Sequence, residues 1–352
     1  MPKNSTVRRR RAGRVGKMWL MVGLALVALV LPLGLGLLHG TIPTAEAAFQ
    51  NDTNPRADYW RAVREGDRGY TAVTGQETNV LIQNGGENWR QLRNGPLATF
   101  GAWLIAVALL LVVLFHLIGG RAKLENRTGR KVPRWSVWER VMHWFVAILF
   151  IVLAITGLSL LYGRAVLIPV MGLEGFAAYA ALAKDAHNYL SLFFVVGLVA
   201  MILSWAHENV FRKADWEWFK AGGGYLGHKH PHAHKVNAGE KIWFWILTLA
   251  GTVMMISGAV LLFPNLGFER NLMQLATLVH AASSILLIGL SFGHIYLGTL
   301  GNEGSFEGMI TGEVDEGWAR QHHDLWYEEE IASGGGARAG GAPRATDKPR
   351  TA

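Results

Sequence analysis

Five stretches of the chain, approximately residues 98–118, 141–162, 188–206, 242–263 and 273–298, are almost unbroken apolar runs. Each is close to the ~20 residues that an α-helix needs to cross the hydrocarbon of a bilayer. Lipid offers no partner to an unpaired N–H or C=O, so runs of this length can span it only as helices. The expected fold class is therefore an all-α integral membrane protein. Charged residues make up 17% of the chain, which is sparse for a soluble domain. The net charge of +8 does not require nucleic acid, because Lys and Arg gather in the cytoplasmic loops of membrane proteins. Membrane lipid is the expected environment, and no nucleic-acid partner is expected.

Loop charge sets the orientation. The loop 119–140 carries Arg121, Lys123, Arg127, Arg130, Lys131, Arg134 and Arg140, and the loop 207–241 is similarly basic. The loop 163–187 has only Arg164 and Lys184, and 264–272 only Arg270. The basic loops are expected on the cytoplasmic side of a bacterial inner membrane. Residues 1–47 combine a basic run, an apolar segment and the A-x-A site Ala45-Glu46-Ala47, and read as a signal peptide or an uncleaved helix. Residues 48–96 are polar, with turn chemistry at "NGGENW", and form a periplasmic extension ahead of an additional helix at 97–120. Residues 134–300 hold the four remaining spans, 301–331 form a cytoplasmic tail motif, and 332–352 are low-complexity and expected to be disordered.

Four histidines interrupt the apolar runs. By the loop-charge topology, His187 and His280 fall in the outer half of the bilayer and His143 and His294 in the inner half. His280 and His294 lie fourteen residues apart on one helix. That spacing is nearly four turns, so both imidazoles face one way with about 21 Å between them along the axis. One helix thus offers one ligand to each of two stacked sites, the geometry of two bis-histidine haems in a helical bundle. Zinc would want four ligands at one depth. With no cysteine in the chain, iron–sulfur clusters, disulfides and covalently attached c-type haem are excluded, which leaves b-type haem. Small residues (Gly157, Gly197, Gly289, Gly293, Gly298) would let a flat macrocycle approach. Other readings stay open: isolated polar residues such as His116 and His207 serve as interhelical hydrogen bonds, and imidazoles line proton paths in transporters.

The strings "WERVMHWFVAILFIVLAITGLSLLYG", "HKVNAGEKIWFWILTLAGTVMMISG" and "LVHAASSILLIGLSFGHIYLGTLGNEGSFEGMITGEVDEGWARQHHDLWYEEE" resemble the cytochrome b (gamma) subunits of respiratory formate dehydrogenases over about residues 134–331. The resemblance implies a four-helix dihaem cytochrome b bundle, and assigns His187 and His280 to the outer haem and His143 and His294 to the inner one. It implies an iron–sulfur (beta) subunit and a molybdenum or tungsten pterin catalytic (alpha) subunit as partners. Formate oxidation would then sit on a partner, and this chain would pass electrons to a quinone, menaquinone or ubiquinone. The cytochrome b subunit of a nickel–iron hydrogenase, or another dihaem quinone reductase, shares the same bundle.

The resemblance places a quinone site at "VNAGEK", with Asn237 and Gly239 as candidate contacts and His294 nearby. In isolation, Asn237 with Glu240 three residues on reads as a capping box. The tract "GHKHPHAHK" carries His228, His230, His232 and His234 and reads as a solvated loop, or as a proton feed to the quinone. Trp318, Trp326 and Tyr327 of the tail are expected at the membrane interface, with His322 and His323 outside the bilayer.

Overall fold

The computed structural model describes residues 85–119, 121–224, 230–334 and 338–339, together with positions 58 and 61. The signal-like segment, most of the front extension, His228 and residues 340–352 lie outside the described residues. Among those described, five helices are long and apolar enough to cross a membrane.

The first span begins earlier than its sequence suggests. The turn expected at "NGGENW" is helical from its first glycine, as α1 (Gly85–Leu92). Through a single widened π turn, Arg93–Leu97, it runs into α2 (Ala98–Gly119). Pro96 sits in that turn; it lacks the N–H of a regular α ladder, and widening the turn absorbs the defect without ending the helix.

After a short strand β1 (Arg130–Pro133) come the four spans of the bundle. These are α3 (Val137–Val166), α4 (Ile168–Trp205), α6 (Ala238–Leu262) and α7 (Arg270–Tyr296), with the short α5 (Lys213–Lys220) between α4 and α6. Two of them start on capping boxes, Ser136 with Glu139 and Asn237 with Glu240. In each, a side chain and a main-chain N–H three residues apart satisfy one another at the helix start. α4 is broken at Gly172, whose φ of +73° only glycine adopts without strain. Met142, Val146, Phe194, Leu198 and Met201 form a core between α3 and α4. The outward faces carry Ile148, Ile155, Val196, Leu203, Leu249 and Ile256, all exposed, as a lipid-facing surface requires. α2 packs against α7 through glycines: a Cβ at Gly101 would lie 2.5 Å from Ile285, and one at Gly289 would lie 2.5 Å from Leu104. His116 Nδ1 lies 3.2 Å from the Tyr296 hydroxyl, an interhelical hydrogen bond, while His207 is exposed just beyond α4.

Beyond the bundle's end the chain builds a small cap. It contains α8 (Ser305–Thr311), β2 (Glu313–Asp315), α9 (Glu316–His322), α10 (Asp324–Ala332) and β3 (Arg338–Ala339). The strands are antiparallel in the order β2-β1-β3, with Val132 opposite Val314. Of the tail from 332, the structure describes only 332–334 and 338–339. The interfacial role expected for Trp318, Trp326 and Tyr327 is also overturned. They are 1%, 6% and 7% exposed, and with Val132, Val314 and Ala319 they make the cap's own core. An aromatic near a span's end has the same sequence signature whether it meets lipid headgroups or a neighbouring loop. Trp138 and Trp216, by contrast, are exposed.

The cap's ionisable groups give it a pH signature. Burial pushes the His323 imidazole down to about 3, with Arg134 adding to the effect. Burial, helped by His230 and Arg134, pushes His322 to about 4. Both are neutral in the folded cap, yet take a proton near 6.5 once released. Their contribution is therefore complete above pH 6.5 and is lost as pH falls from there towards 4 and 3. Burial would raise the Glu316 carboxyl, but hydrogen bonds from Tyr327, Arg320 and Arg130 hold it below its ordinary value, which adds to the loss at lower pH. Hydrogen-exchange protection over residues 313–331, corrected for intrinsic rate, should fall between pH 7.5 and 5; flat protection would contradict this.

Candidate metal centres

The four histidines of the spans meet as two pairs. His187 on α4 and His280 on α7 have ring centres 6.2 Å apart, at 76° between planes. His143 on α3 and His294 on α7 are also 6.2 Å apart, at 53°. Within these pairs the rings are neither stacked nor hydrogen-bonded to one another. Two imidazoles on opposite sides of one metal, at metal–nitrogen distances of about 2 Å, would have ring centres about 6.3 Å apart. The same spacing recurs at two levels of one bundle.

The outer pair is oriented from behind. Thr156 Oγ1 lies 2.9 Å from Val152 O and 2.9 Å from His187 Nδ1. Having one hydrogen, and donating it to the carbonyl, the hydroxyl accepts from Nδ1–H. His280 Nδ1 donates to Met254 O at 3.0 Å, with Ser257 Oγ at 3.3 Å. Both rings therefore carry their proton on Nδ1 and present the Nε2 lone pair, the support by which metal-ligating histidines are usually held. The inner pair is held by aromatics. Trp243 stacks on His294 at 4.9 Å and 15°, and Trp144 meets His143 edge-on at 5.3 Å. His143 Nδ1 is buried without a hydrogen-bond partner.

The glycines divide differently from expectation. Gly157 backs His187: a Cβ there would lie 3.2 Å from its Cε1. Gly258, not anticipated, does the same for His280 at 3.1 Å. Gly197 instead packs against Phe145 and Val146, and Gly289 against Leu104, so these two serve helix contacts; Gly293 and Gly298 have nothing within 4 Å.

A family model described as prokaryotic cytochrome b561 matches residues 134–312, just over half the chain. The chain belongs to the prokaryotic cytochrome b561 family. Among curated relatives of this family member is the Escherichia coli K12 protein named formate dehydrogenase, nitrate-inducible, cytochrome b556(Fdn) subunit. It is 28% identical over 206 residues, covering 57% of this chain and 92% of the relative. The Haemophilus influenzae formate dehydrogenase cytochrome b556 subunit is 29% identical over 218 residues, 60% of this chain and 89% of its own. A second Escherichia coli K12 protein, the formate dehydrogenase cytochrome b556(fdo) subunit, is 26% identical over 202 residues.

A cytochrome b carries haem b, and the residues present suit it. Each level offers two imidazoles and no thiol, and two of the rings show a fixed, unprotonated Nε2. No cluster of three or more His, Asp or Glu side chains suited to a metal occurs among the described residues, so each metal would need the in-plane ligands that a porphyrin brings. The glycine backs supply a test. Gly157→Leu or Gly258→Leu should displace its imidazole and lower the haem-to-protein ratio, whereas alanine at either position needs only a few tenths of an ångström of give. An unchanged haem content in the leucine variants would separate these glycines from the site.

At the other end of the bundle, Asn237 Oδ1 accepts from Glu240 N at 3.0 Å and Glu240 Oε2 accepts from Asn237 N at 2.9 Å. Asn237 and Gly239 head α6, and Trp243 on the same helix stacks on His294. Trp218 of α5 lies across Gly239, 3.0 Å from where a Cβ would stand. α5 is tied to α6 by a buried ion pair, Lys241 Nζ to Asp215 Oδ2 at 2.7 Å. In the histidine-rich loop, His230 pairs with Glu125 at 3.1 Å, His234 with Glu329 at 3.0 Å, and His232 with Asp324. These imidazoles fasten the loop to the cap. Thr156, Ser257 and Asp215 were not singled out from sequence, where Lys241 counts only as a loop charge and Trp243 only as one of the tryptophans expected to anchor span ends in the membrane.

Proposed function

We propose that this chain is the membrane cytochrome b subunit of a formate dehydrogenase, carrying electrons through two b-type haems to a membrane quinone. The reading rests on one observation above the others: two imidazole pairs of equal spacing at two levels of one helix bundle, in a chain whose curated relatives are formate dehydrogenase cytochrome subunits. His187 and His280 would hold the outer haem, and His143 and His294 the inner one. Bis-imidazole haem b supplies one-electron transfer at a site with no open coordination position.

The chain's own residues have separate tasks in this scheme. Thr156, Ser257 and the Met254 carbonyl keep the outer imidazoles in one tautomer. The rigid α7 keeps the two levels about 21 Å apart along its axis. The apolar bundle excludes water and stray oxidants between them. Asn237, with a carboxamide that both donates and accepts, would hold a quinone carbonyl beside His294. An iron–sulfur subunit and a molybdenum or tungsten pterin subunit would deliver electrons on the periplasmic side, while the basic loops and the cap face the cytoplasm. Proton release outside and uptake inside then charges the membrane, against about 2.3 kcal/mol per charge for each 100 mV.

The test uses membranes containing the complete complex. Formate should reduce the haems, and a quinone-site inhibitor should hold them reduced when a quinone is present. Reduction by hydrogen and not by formate would transfer the chain to a hydrogenase, and protein without a haem spectrum would end the reading.

A further inference from the structure

The electron route described above makes no use of the cap, yet the cap reaches the loop that heads α6 through one buried guanidinium. Arg134 precedes α3, and its side chain is 4% exposed. It lies between two indoles, 5.0 Å from the Trp135 ring and 4.7 Å from that of Trp318 in the tail. Its Nη2 donates to Lys235 O at 2.8 Å and lies 3.2 and 3.4 Å from the two Glu240 oxygens. The same nitrogen lies 3.2 Å from His323 Nε2. His323 Nδ1 is 2.6 Å from the His234 carbonyl. A carbonyl only accepts, so Nδ1 carries the proton and Nε2 is left as an acceptor facing the Arg134 guanidinium.

Residues distant in sequence thus converge on six residues of loop. Arg134 grips that loop two residues before Asn237, at the Lys235 carbonyl, and three residues after it, at Glu240. Glu240 in turn accepts from the Asn237 N–H. His323, 1% exposed, fixes the guanidinium from the cap side. A tail needed only to cover the bundle's end could pack its apolar core there. A buried histidine whose two nitrogens are each committed, one to the loop's own backbone and one to the cation that brackets Asn237, does more than cover.

We infer that His323 is a positioning residue for quinone binding: through Arg134 and Glu240 it sets where Asn237 stands. This rests on the quinone role proposed for Asn237. The tail would then shape affinity for the quinone headgroup without touching it, and without touching the haem ligands.

The experiment compares His323→Phe, His323→Gln and the native chain in the assembled complex in membranes. Phenylalanine keeps an aromatic ring against Trp318 but has no acceptor for Arg134. Glutamine keeps a donor and an acceptor. Loss of one charge-assisted contact should raise KM for a soluble quinone analogue about tenfold in His323→Phe. The kcat should stay within twofold, and the reduced haem spectrum and the rate of haem reduction by formate should be unchanged. His323→Gln should recover most of the lost affinity. Binding of a fluorescent quinone analogue, followed by quenching, should weaken in parallel. If His323→Phe does not assemble, Glu240→Gln decides on the same readouts, because it keeps an acceptor for the Asn237 N–H and loses the ion pair with Arg134. An unchanged KM, a fall in kcat alone, or a glutamine variant as impaired as phenylalanine overturns the inference. A native complex whose haems formate does not reduce fails the functional reading instead, and the fluorescence arm still reports on His323.

Discussion

On the proposed two-haem function, replacing His280 with alanine should remove one haem from the protein and reduce formate-to-quinone electron flow to the background of membranes lacking this subunit. His280 and His187 face one another across the bundle at the same ring spacing as His143 and His294. The partner left behind, His187, keeps its hydrogen bond to Thr156 and its backing by Gly157. The loss should therefore be confined to the outer site: a reduced-minus-oxidised spectrum at about half the native amplitude, with the inner haem still low-spin. Formate oxidation measured with an artificial acceptor that takes electrons before this subunit should persist. Two haems retained in His280→Ala would show that the pairing is wrong. Both lost would show that the two sites do not load independently.

The second large effect is expected at Lys241. Its ammonium and the Asp215 carboxylate form an ion pair with the side chains 1% and 4% exposed, and Asp215 also accepts from the Arg212 N–H at 2.6 Å. Lys241→Met leaves a buried carboxylate without its counter-charge, a change that costs about 3–5 kcal/mol. The cost falls on the seat of α5, whose Trp218 covers Gly239. Hydrogen exchange over residues 210–224 should accelerate, and affinity for a quinone-site inhibitor should drop. The double variant Lys241→Met/Asp215→Leu removes both charges and should recover much of the stability, since a buried ion pair is often no better than well-packed apolar groups. Equal destabilisation of single and double variants would mean that the lysine acts through packing and not through charge.

The pairing of the four histidines was legible because lipid makes imidazole costly, and a fourteen-residue interval has a simple meaning on a helix. Their supports were not. Thr156 and Ser257 look like the small polar residues that any membrane helix tolerates. A signal was nonetheless present: a capping-box residue and, twenty positions on, a hydroxyl-glycine pair, once as Ser136 to Thr156-Gly157 and again as Asn237 to Ser257-Gly258. The two hairpins carry the same device, which a search for internal repeats would have exposed. The contacts of Arg134 with Glu240 and His323 had no such signal, since contacts between residues so far apart in sequence leave no local periodicity. The buried tail aromatics were misread because burial by a cap and burial at a lipid interface select the same side chains. The helical start at Gly85 was missed because Gly85, Gly86, Gly95 and Pro96 are common breakers, yet the first two sit within α1 and the last two are absorbed by one wide turn.

The cap also fixes an order of events in the life of the chain. Strand β1 stands before the first helix of the bundle, and its partner β2 stands after the last. Val132 therefore has no mate until the whole bundle has been synthesised and threaded into the bilayer. A chain halted or clipped ahead of Glu313 can insert its helices, but it leaves Val132, Arg134 and the basic loop open to water and proteases. Closure of the sheet is thus a sign of completed biogenesis.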